Sequence, residues 1–219
     1  MVEFLRIVIC LITGYAFGCF STGYMVSKIY HVDIRKYGSG NVGTTNALRT
    51  LGWKAGAITF IGDFLKAIIP ILLFRELIFK DCDYRQLLAI YAGFGVVLGH
   101  NYPFWLKFKG GKGIAVTSGV MAAIDPLSIP FFAVIFLVAV IITRYVSVGS
   151  LCIASMFPTW IAIRYPGEIH MLIIAVLFAL SAFYRHRANI KRLMNGTENK
   201  IGQKAEIKSV DIKEESHEN

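Results

Sequence analysis

The sequence predicts an all-α, polytopic integral membrane protein with about seven transmembrane helices, two of them short, an outside N-terminus and a cytosolic C-terminus. Three observations lead there. Apolar residues fill 55% of the 219 positions and the mean hydropathy is +0.57, too high for a soluble domain. They gather in stretches near the ~20 residues that match a hydrocarbon core of about 30 Å. Lysine and arginine, finally, crowd into alternate connecting segments, as the positive-inside rule favours.

The apolar stretches lie near 5–27, 55–74, 86–106, 113–124, 127–143, 149–163 and 168–184. The first contains no small-x-small cleavage site and runs directly into polar residues, so a retained span is expected rather than a removed leader. Within it, Gly14-x-x-x-Gly18 followed by Ser21, Thr22 and Gly23 predicts close helix packing. The second carries Asp63 and Lys66 at i, i+3, a pairing that is a functional hypothesis because either charge alone is costly in a bilayer. Residues 113–143 as one helix would measure roughly 46 Å, so two helices are predicted. Asp125-Pro126 supplies the break, because proline disfavours helix at the preceding residue and lacks a donor. With seven spans, segments 28–54, 107–112, 144–148 and 185–204 fall on one side and hold 15 Lys and Arg residues. The other side holds five: Arg6, Arg75, Lys80, Arg85 and Arg164. Six spans would separate the basic 185–204 segment from 28–54. Residues 1–204 therefore read as one transmembrane domain, and 205–219, acidic and poor in apolar residues, as a disordered tail.

The net charge of +9 does not point to nucleic acid, since the cations lie in short loops rather than on one soluble face. Cys10, Cys19, Cys82 and Cys152 show no metal-ligand or disulfide spacing and read as packing residues. No metal or cofactor is expected.

Three polar stretches carry the chemistry. Gly38 to Arg49, GSGNVGTTNALR, alternates Gly38, Gly40 and Gly43 with Ser39, Asn41, Thr44, Thr45 and Asn46 before the closing Arg49. Glycines let backbone amides approach an anion, hydroxyls add donors, and a guanidinium grips phosphate bidentately. A flexible turn is the structural alternative, and the stretch is no Walker loop because GxxxxGK[ST] is absent. Gly99 to Ala115, GHNYPFWLKFKGGKGIA, sets Lys107, Lys109, Gly110, Gly111 and Lys112 at a predicted helix start, where amides and lysine together suit a second phosphate. The same lysines also serve simply to orient the loop. His100, near the end of the third stretch, reads equally as a hydrogen-bonded packing residue or a catalytic one. Arg185 to Gly196, RHRANIKRLMNG, sets His186 and Asn189 on one helical face with Arg192 three residues on. That stripe suits a general base or a hydroxyl-orienting group, and equally an anchor for anionic lipid heads. Arg144, Ser147 and Ser150 form a fourth small polar cluster on the same side.

Taken in order, GSGNVGTTNALR, GHNYPFWLKFKGGKGIA, RYVSVGS and RHRANIKRLMNG resemble the bacterial acyl-phosphate:glycerol-3-phosphate acyltransferases, the PlsY family, over nearly the whole chain except its tail. The seven-span, N-out arrangement is similar to that family's fold. The resemblance implies acyl transfer from an acyl-phosphate to the primary hydroxyl of glycerol 3-phosphate, giving 1-acylglycerol 3-phosphate and phosphate, in the inner membrane and facing the cytosol. It implies that Ser39, Asn41, Thr45 and Arg49 contact phosphate, that Lys112 stabilises charge on the acyl-phosphate, and that His186 with Asn189 positions glycerol phosphate. It also implies a substrate-assisted mechanism in which substrate phosphate takes the proton. The predicted catalytic set is thus Ser39, Arg49, Lys112, His186 and Asn189. Gly38, Gly40, Asn41, Thr44, Thr45, Asn46, His100, Lys109, Gly110, Gly111, Ser147, Ser150 and Arg192 are expected to bind substrate. The expected partners are the two substrates and membrane lipid, with the chain a monomer. None of the five histidines is followed by Asp five positions on, so the thioester-using HxxxxD acyltransferases are disfavoured. An organic-phosphate transporter is the alternative, because inward basic loops and Asp63/Lys66 also suit anion passage. A lipid-binding scaffold would leave the Ser, Thr and Asn donors unexplained.

Overall fold

The computed structural model describes residues 1–205; the predicted tail beyond Ala205 lies outside the described residues. Helices α1 to α10 span Val2–Cys19, Thr22–Ile29, Thr44–Leu51, Trp53–Leu72, Arg85–Asn101, Ile114–Ile124, Ser128–Thr143, Val146–Arg164, Ile169–Arg185 and Arg187–Met194, with no strand among the described residues. Three segments, Val2–Ile29, Trp53–Ile78 and Val146–Arg164, are long and apolar enough to cross a bilayer, and α9 with α10, bent by 57°, makes a fourth if the pair is one span. The two predicted short helices are α6 and α7.

Large apolar side chains cover the outside of the bundle as well as its core: Ile141 and Ile142 of α7 are 71% and 75% exposed. Where lipid surrounds the helices, burial of apolar area drives little association, and close backbone packing takes over. Helices α1 and α5 show it. A side chain at Gly14 or Gly18 would strike the backbone of Ala92 or Val96, and one at Gly95 or Gly99 would strike that of Leu11 or Tyr15. Between them and α6, α8 and α9 lies the main core, with Val96, Val120, Ile153, Phe157 and Phe178 all buried.

The structure adjusts three predicted elements. The first apolar stretch is two helices, parted at Phe20 and Ser21, whose extended backbone frees the Phe20 carbonyl. The second runs on past Pro70 into a π turn over Leu73–Ile78, consistent with the donor that proline removes. The predicted break at Asp125-Pro126 is present: Asp125 is extended, and its Oδ1 accepts the Leu127 N–H at 3.1 Å. Pro130 falls in the first turn of α7, where its missing N–H removes no helical hydrogen bond.

Opposite the loops, the bundle end around Asp125 is closed by paired polar groups. Arg164 Nε meets Asp125 Oδ2 at 2.7 Å, while Gln86 and the Tyr165 hydroxyl donate to the Ile124 carbonyl at 2.9 and 3.1 Å. At the other end, loops 34–43, 101–113 and 144–146 meet the α9–α10 junction and the 195–205 return segment around one cavity.

Candidate functional site

A cavity of about 400 Å³ opens at this end, with a polar head and an apolar arm. Ser39, Asn41, Gly43, Thr44, Thr45, Asn46, Arg49, Asp63, His100, Lys112, Ser147, Ser150, His186, Asn189 and Glu198 line the head. Phe60 and Phe64 of α4, Met121 of α6 and Phe132, Phe136 and Leu137 of α7 line the arm.

The first glycine-rich stretch spends the amides of Ser39, Gly40 and Gly43 on its own surroundings. Gly38 and Gly40 take φ of +59° and +68°, conformations that cost a side chain energy, and fold the loop back over Asn46. Asn46 Oδ1 accepts the Ser39 N–H at 2.8 Å, and its Nδ2 donates to the carbonyls of Ile34 at 2.9 Å and Tyr37 at 3.2 Å. The Gly40 N–H is taken by the Tyr37 carbonyl and the Gly43 N–H by Asn41 Oδ1. Asn46, 2% exposed, is therefore a brace whose amide is fully used, although it lines the cavity. The loop thereby positions α3, whose first residues Thr44 and Thr45 face the cavity and whose Arg49 projects into it. Arg49 Nη2 donates to the Asn199 carbonyl at 3.1 Å; its other nitrogens have no acceptor among the described residues.

The second stretch corrects one sequence expectation. The amides of Gly110 and Gly111, expected to receive a phosphate, donate instead to the carbonyls of Asn101 and His100 at 3.2 and 3.0 Å. Their own carbonyls are gripped by Arg185, Nη2 to Gly110 at 2.8 Å and Nε to Gly111 at 2.9 Å, and Asn41 Nδ2 reaches Gly110 from the first loop. Short-range pairing of residues 100–101 with 110–111 thus wins over an open anion nest. What the loop presents is Lys112, whose ammonium donates to Asn189 Oδ1, and Gly113, at φ +82° and capping α6. Lys109 is exposed and, with Gly38, Gly40, Gly110, Gly111 and Arg192, lies outside the cavity lining.

In the third stretch, His186 is the joint between α9 and α10, so it and Asn189 are not on one continuous helix as expected, yet the bend turns both into the cavity. The His186 Nδ1 lies 2.8 Å from the Ala182 carbonyl. A carbonyl only accepts, so Nδ1 carries the proton, and burial followed by the nearby Lys112 charge pushes the imidazole pKa down to about 4. His186 is therefore neutral at pH 7 with an accepting Nε2. Ser150 returns its hydroxyl to the Val146 carbonyl at 3.0 Å.

Glu198 is the functional-site residue that sequence reasoning missed. Its Oε1 accepts from Asn189 Nδ2 at 2.7 Å and Ser147 Oγ at 3.0 Å, and its Oε2 from Arg192 Nε at 2.7 Å. Burial raises its pKa, but the hydrogen bonds from Asn189, Arg192 and Ser147 outweigh burial and hold it below the ordinary carboxylate range. It is the lone acid between Arg185 and Lys204, which was a readable signal. Even so, cations exceed anions here. Burial first, and then Arg192, Arg49 and Arg185 against the opposing pull of Glu198, push the Lys112 pKa down to about 8. Among the described residues no three His, Cys, Asp or Glu side chains cluster as metal ligands would. Chemically, the head can hold anionic oxygens on Arg49, Lys112 and hydroxyls and accept a hydrogen bond at His186 Nε2, while the arm takes an apolar chain.

Comparison with known proteins follows the same lines. Residues 8–196 match the glycerol-3-phosphate acyltransferase family profile. A Clostridioides difficile glycerol-3-phosphate acyltransferase is 45% identical over 207 residues, covering 93% of this chain and 100% of that protein. One from Thermoanaerobacter pseudethanolicus is 42% identical over 202 residues, covering 92% and 98%. Among solved structures, the chain resembles PlsY, an integral membrane glycerol 3-phosphate acyltransferase, in its glycerol 3-phosphate form. The TM-score is 0.82 at 35% identity over 90% of this chain and 96% of that one. The lysophosphatidic acid form gives 0.79 at 34%, with the same coverage.

Proposed function

The chain belongs to the glycerol-3-phosphate acyltransferase family and is a multi-pass membrane enzyme; from that premise we propose that it moves a fatty acyl group from an acyl-phosphate to the sn-1 hydroxyl of glycerol 3-phosphate. The products are 1-acylglycerol 3-phosphate and inorganic phosphate. The observation that carries the choice of donor is the joining of two chemistries in one cavity: Arg49 and Lys112 at its head, Phe60, Met121 and Phe132 along its arm. An acyl-phosphate has that same division, a dianionic head on an apolar chain, and glycerol 3-phosphate brings a second phosphate to the excess of cations.

An acyl-phosphate is already activated, so orientation and electrostatics suffice without a covalent enzyme intermediate. In this reading Arg49, Lys112, Ser39 and Thr45 hold phosphate oxygens. His186 and Asn189 position glycerol 3-phosphate so that its sn-1 hydroxyl oxygen faces the acyl carbon while its one proton faces substrate phosphate. The carbon–oxygen bond to the leaving phosphate breaks as the new ester bond forms, and substrate phosphate takes the hydroxyl proton. Glu198 keeps Asn189 and Arg192 in register behind Lys112. The chain works as a monomer in the bacterial cytoplasmic membrane, with seven spans, N-out, and the cavity facing the cytosol; the 15-against-five division of Lys and Arg supports that orientation.

The test is to supply palmitoyl-phosphate and glycerol 3-phosphate to purified protein in detergent or lipid mesophase. Phosphate release coupled to 1-acylglycerol 3-phosphate is expected; a folded protein that releases none overturns the reading. For the orientation, single cysteines at position 109 and within 144–148 should both label from the cytosolic side only.

A further inference from the structure

The buried charges Asp63 and Lys66 touch no part of the reaction described above, yet they reach its edge through His100. Lys66 Nζ stands 2.6 Å from the Phe20 carbonyl, 2.8 Å from Asp63 Oδ1 and 2.9 Å from His100 Nδ1. Asp63, Lys66 and His100 are all buried, at 1%, 6% and 5% exposed. The ammonium donates to the Phe20 carbonyl and forms an ion pair with Asp63, whose Oδ1 has no hydrogen-bond partner among the described residues. An ammonium has no lone pair, so at 2.9 Å it donates to His100 Nδ1. Asp63 Oδ1 is 3.6 Å from the same nitrogen, beyond hydrogen-bond distance, and so does not compete for it. Nδ1 is consequently the accepting nitrogen and Nε2 carries the imidazole proton.

The Nε2 edge lies at the foot of the lysine loop. A side chain at Gly111 would collide with it first, and the Gly111 N–H donates to the His100 carbonyl. His100 and Asp63 both line the cavity, and Nε2 has no acceptor among the described residues. Its protonation state is the opposite of that of His186, where the Ala182 carbonyl leaves Nε2 bare.

We propose that Lys66, held by Asp63 and the Phe20 carbonyl, is a positioning residue that fixes His100 as the Nε2–H tautomer, so that this nitrogen donates to an oxygen of the acyl-phosphate beside Lys112. The two histidines then divide the labour: His186 positions glycerol 3-phosphate and His100 donates to the acyl donor. The assignment rests on the acyl-phosphate reading, but the tautomer itself does not.

The experiment has two parts. In 15N-histidine-labelled wild-type protein, with His100 assigned from the His100→Gln spectrum, the expected signature is a neutral ring protonated at Nε2. A proton on Nδ1 overturns the proposal whatever the enzyme's activity. In kinetics, Lys66→Met made with Asp63→Asn, so that no lone charge remains buried, should lower kcat by about 10- to 100-fold with KM for glycerol 3-phosphate little changed. His100→Gln, whose amide can still donate near Nε2, should retain more activity than His100→Ala. Added to His100→Gln, the same double change should cost less than about threefold, because no tautomer remains to set. Equal losses in both backgrounds would mean that the pair acts on the fold alone and overturn the positioning role. Wild-type phosphate release, run first, separates failure here from failure of the reaction assignment.

Discussion

The two ends of the helix bundle balance their polar side chains differently. Around Asp125, the charged groups are matched: Arg164 to the carboxylate, with Gln86 and Tyr165 on the Ile124 carbonyl and Arg6 on the Tyr84 hydroxyl at 2.7 Å. Around Lys112, Arg49, Arg185 and Arg192 add their charges to its own against the pull of Glu198, and Arg49 keeps nitrogens without a protein acceptor among the described residues. One helix, α6, joins the two, its N-terminus at the unbalanced end and its C-terminus at the closed one. A matched set needs nothing further and serves as a clamp. An unmatched cationic set around a cavity is stable only because water or an anion completes it, and that surplus, more than any single residue, marks the site.

The sharpest way to break the comparison is to remove the surplus. Arg49→Ala and Lys112→Ala should each lower turnover by about 10²- to 10³-fold while the thermal midpoint stays near wild type, since each deletes a group with little structural work. Wild-type rates in both would show that the surplus is not used. Titration sharpens it next. Lys112, with its pKa near 8 in the unliganded protein, is protonated and active below that pH. The ratio kcat/KM, which reports the free enzyme, should therefore fall as pH rises through about 8, approaching tenfold per unit. Bound phosphate dianions favour the charged form, so kcat should decline only at higher pH. A kcat/KM flat to pH 9.5 would rule out the buried ammonium as the titrating group.

Much of this division was legible in the sequence, because the features that set it are segmental. The apolar stretches and the Asp125-Pro126 break survive as helices α1 to α9 and the turn between α6 and α7, and polar residues from the motif stretches line one cavity. The residues Ser39, Arg49, Lys112, His186 and Asn189 do line one cavity. What could not be read is how backbone groups are spent. GSGNVG and FKGGKG look like open nests of amides. Only the folded chain reveals that Asn46, Tyr37 and Asn41 take the amides of Ser39, Gly40 and Gly43, and that residues 100–101 take those of Gly110 and Gly111. Glu198 escaped notice for a related reason: its partners Ser147 and Asn189 lie 51 and nine residues away, and no periodicity encodes a return segment.

At the closed end the expected effect changes kind. Asp125→Asn leaves the carboxamide free to accept the Leu127 N–H but removes the charge that Arg164 meets. The midpoint in a detergent melt should drop by a few degrees, with kcat and KM within about twofold of wild type, as for a partly exposed ion pair remote from the chemistry. A large loss of turnover here would mean that α6 transmits the state of one end to the other.

The smallest effect separates two lysines three positions apart. Lys109 and Lys112 share a loop and a charge, and the sequence alone assigned both to substrate. In the fold, Lys109 is exposed and away from the cavity, whereas Lys112 is drawn inward by the Gly110 and Gly111 pairings and ends on Asn189. Solvent and salt screen a surface ammonium at that distance, so Lys109→Ala should change kcat/KM by less than about twofold, and only at low ionic strength. Measured beside Lys112→Ala across a salt series, the pair tests whether position in the cavity, rather than net positive charge of the loop, governs turnover. Comparable losses in both would restore the simpler account in which the whole loop acts as one diffuse cation.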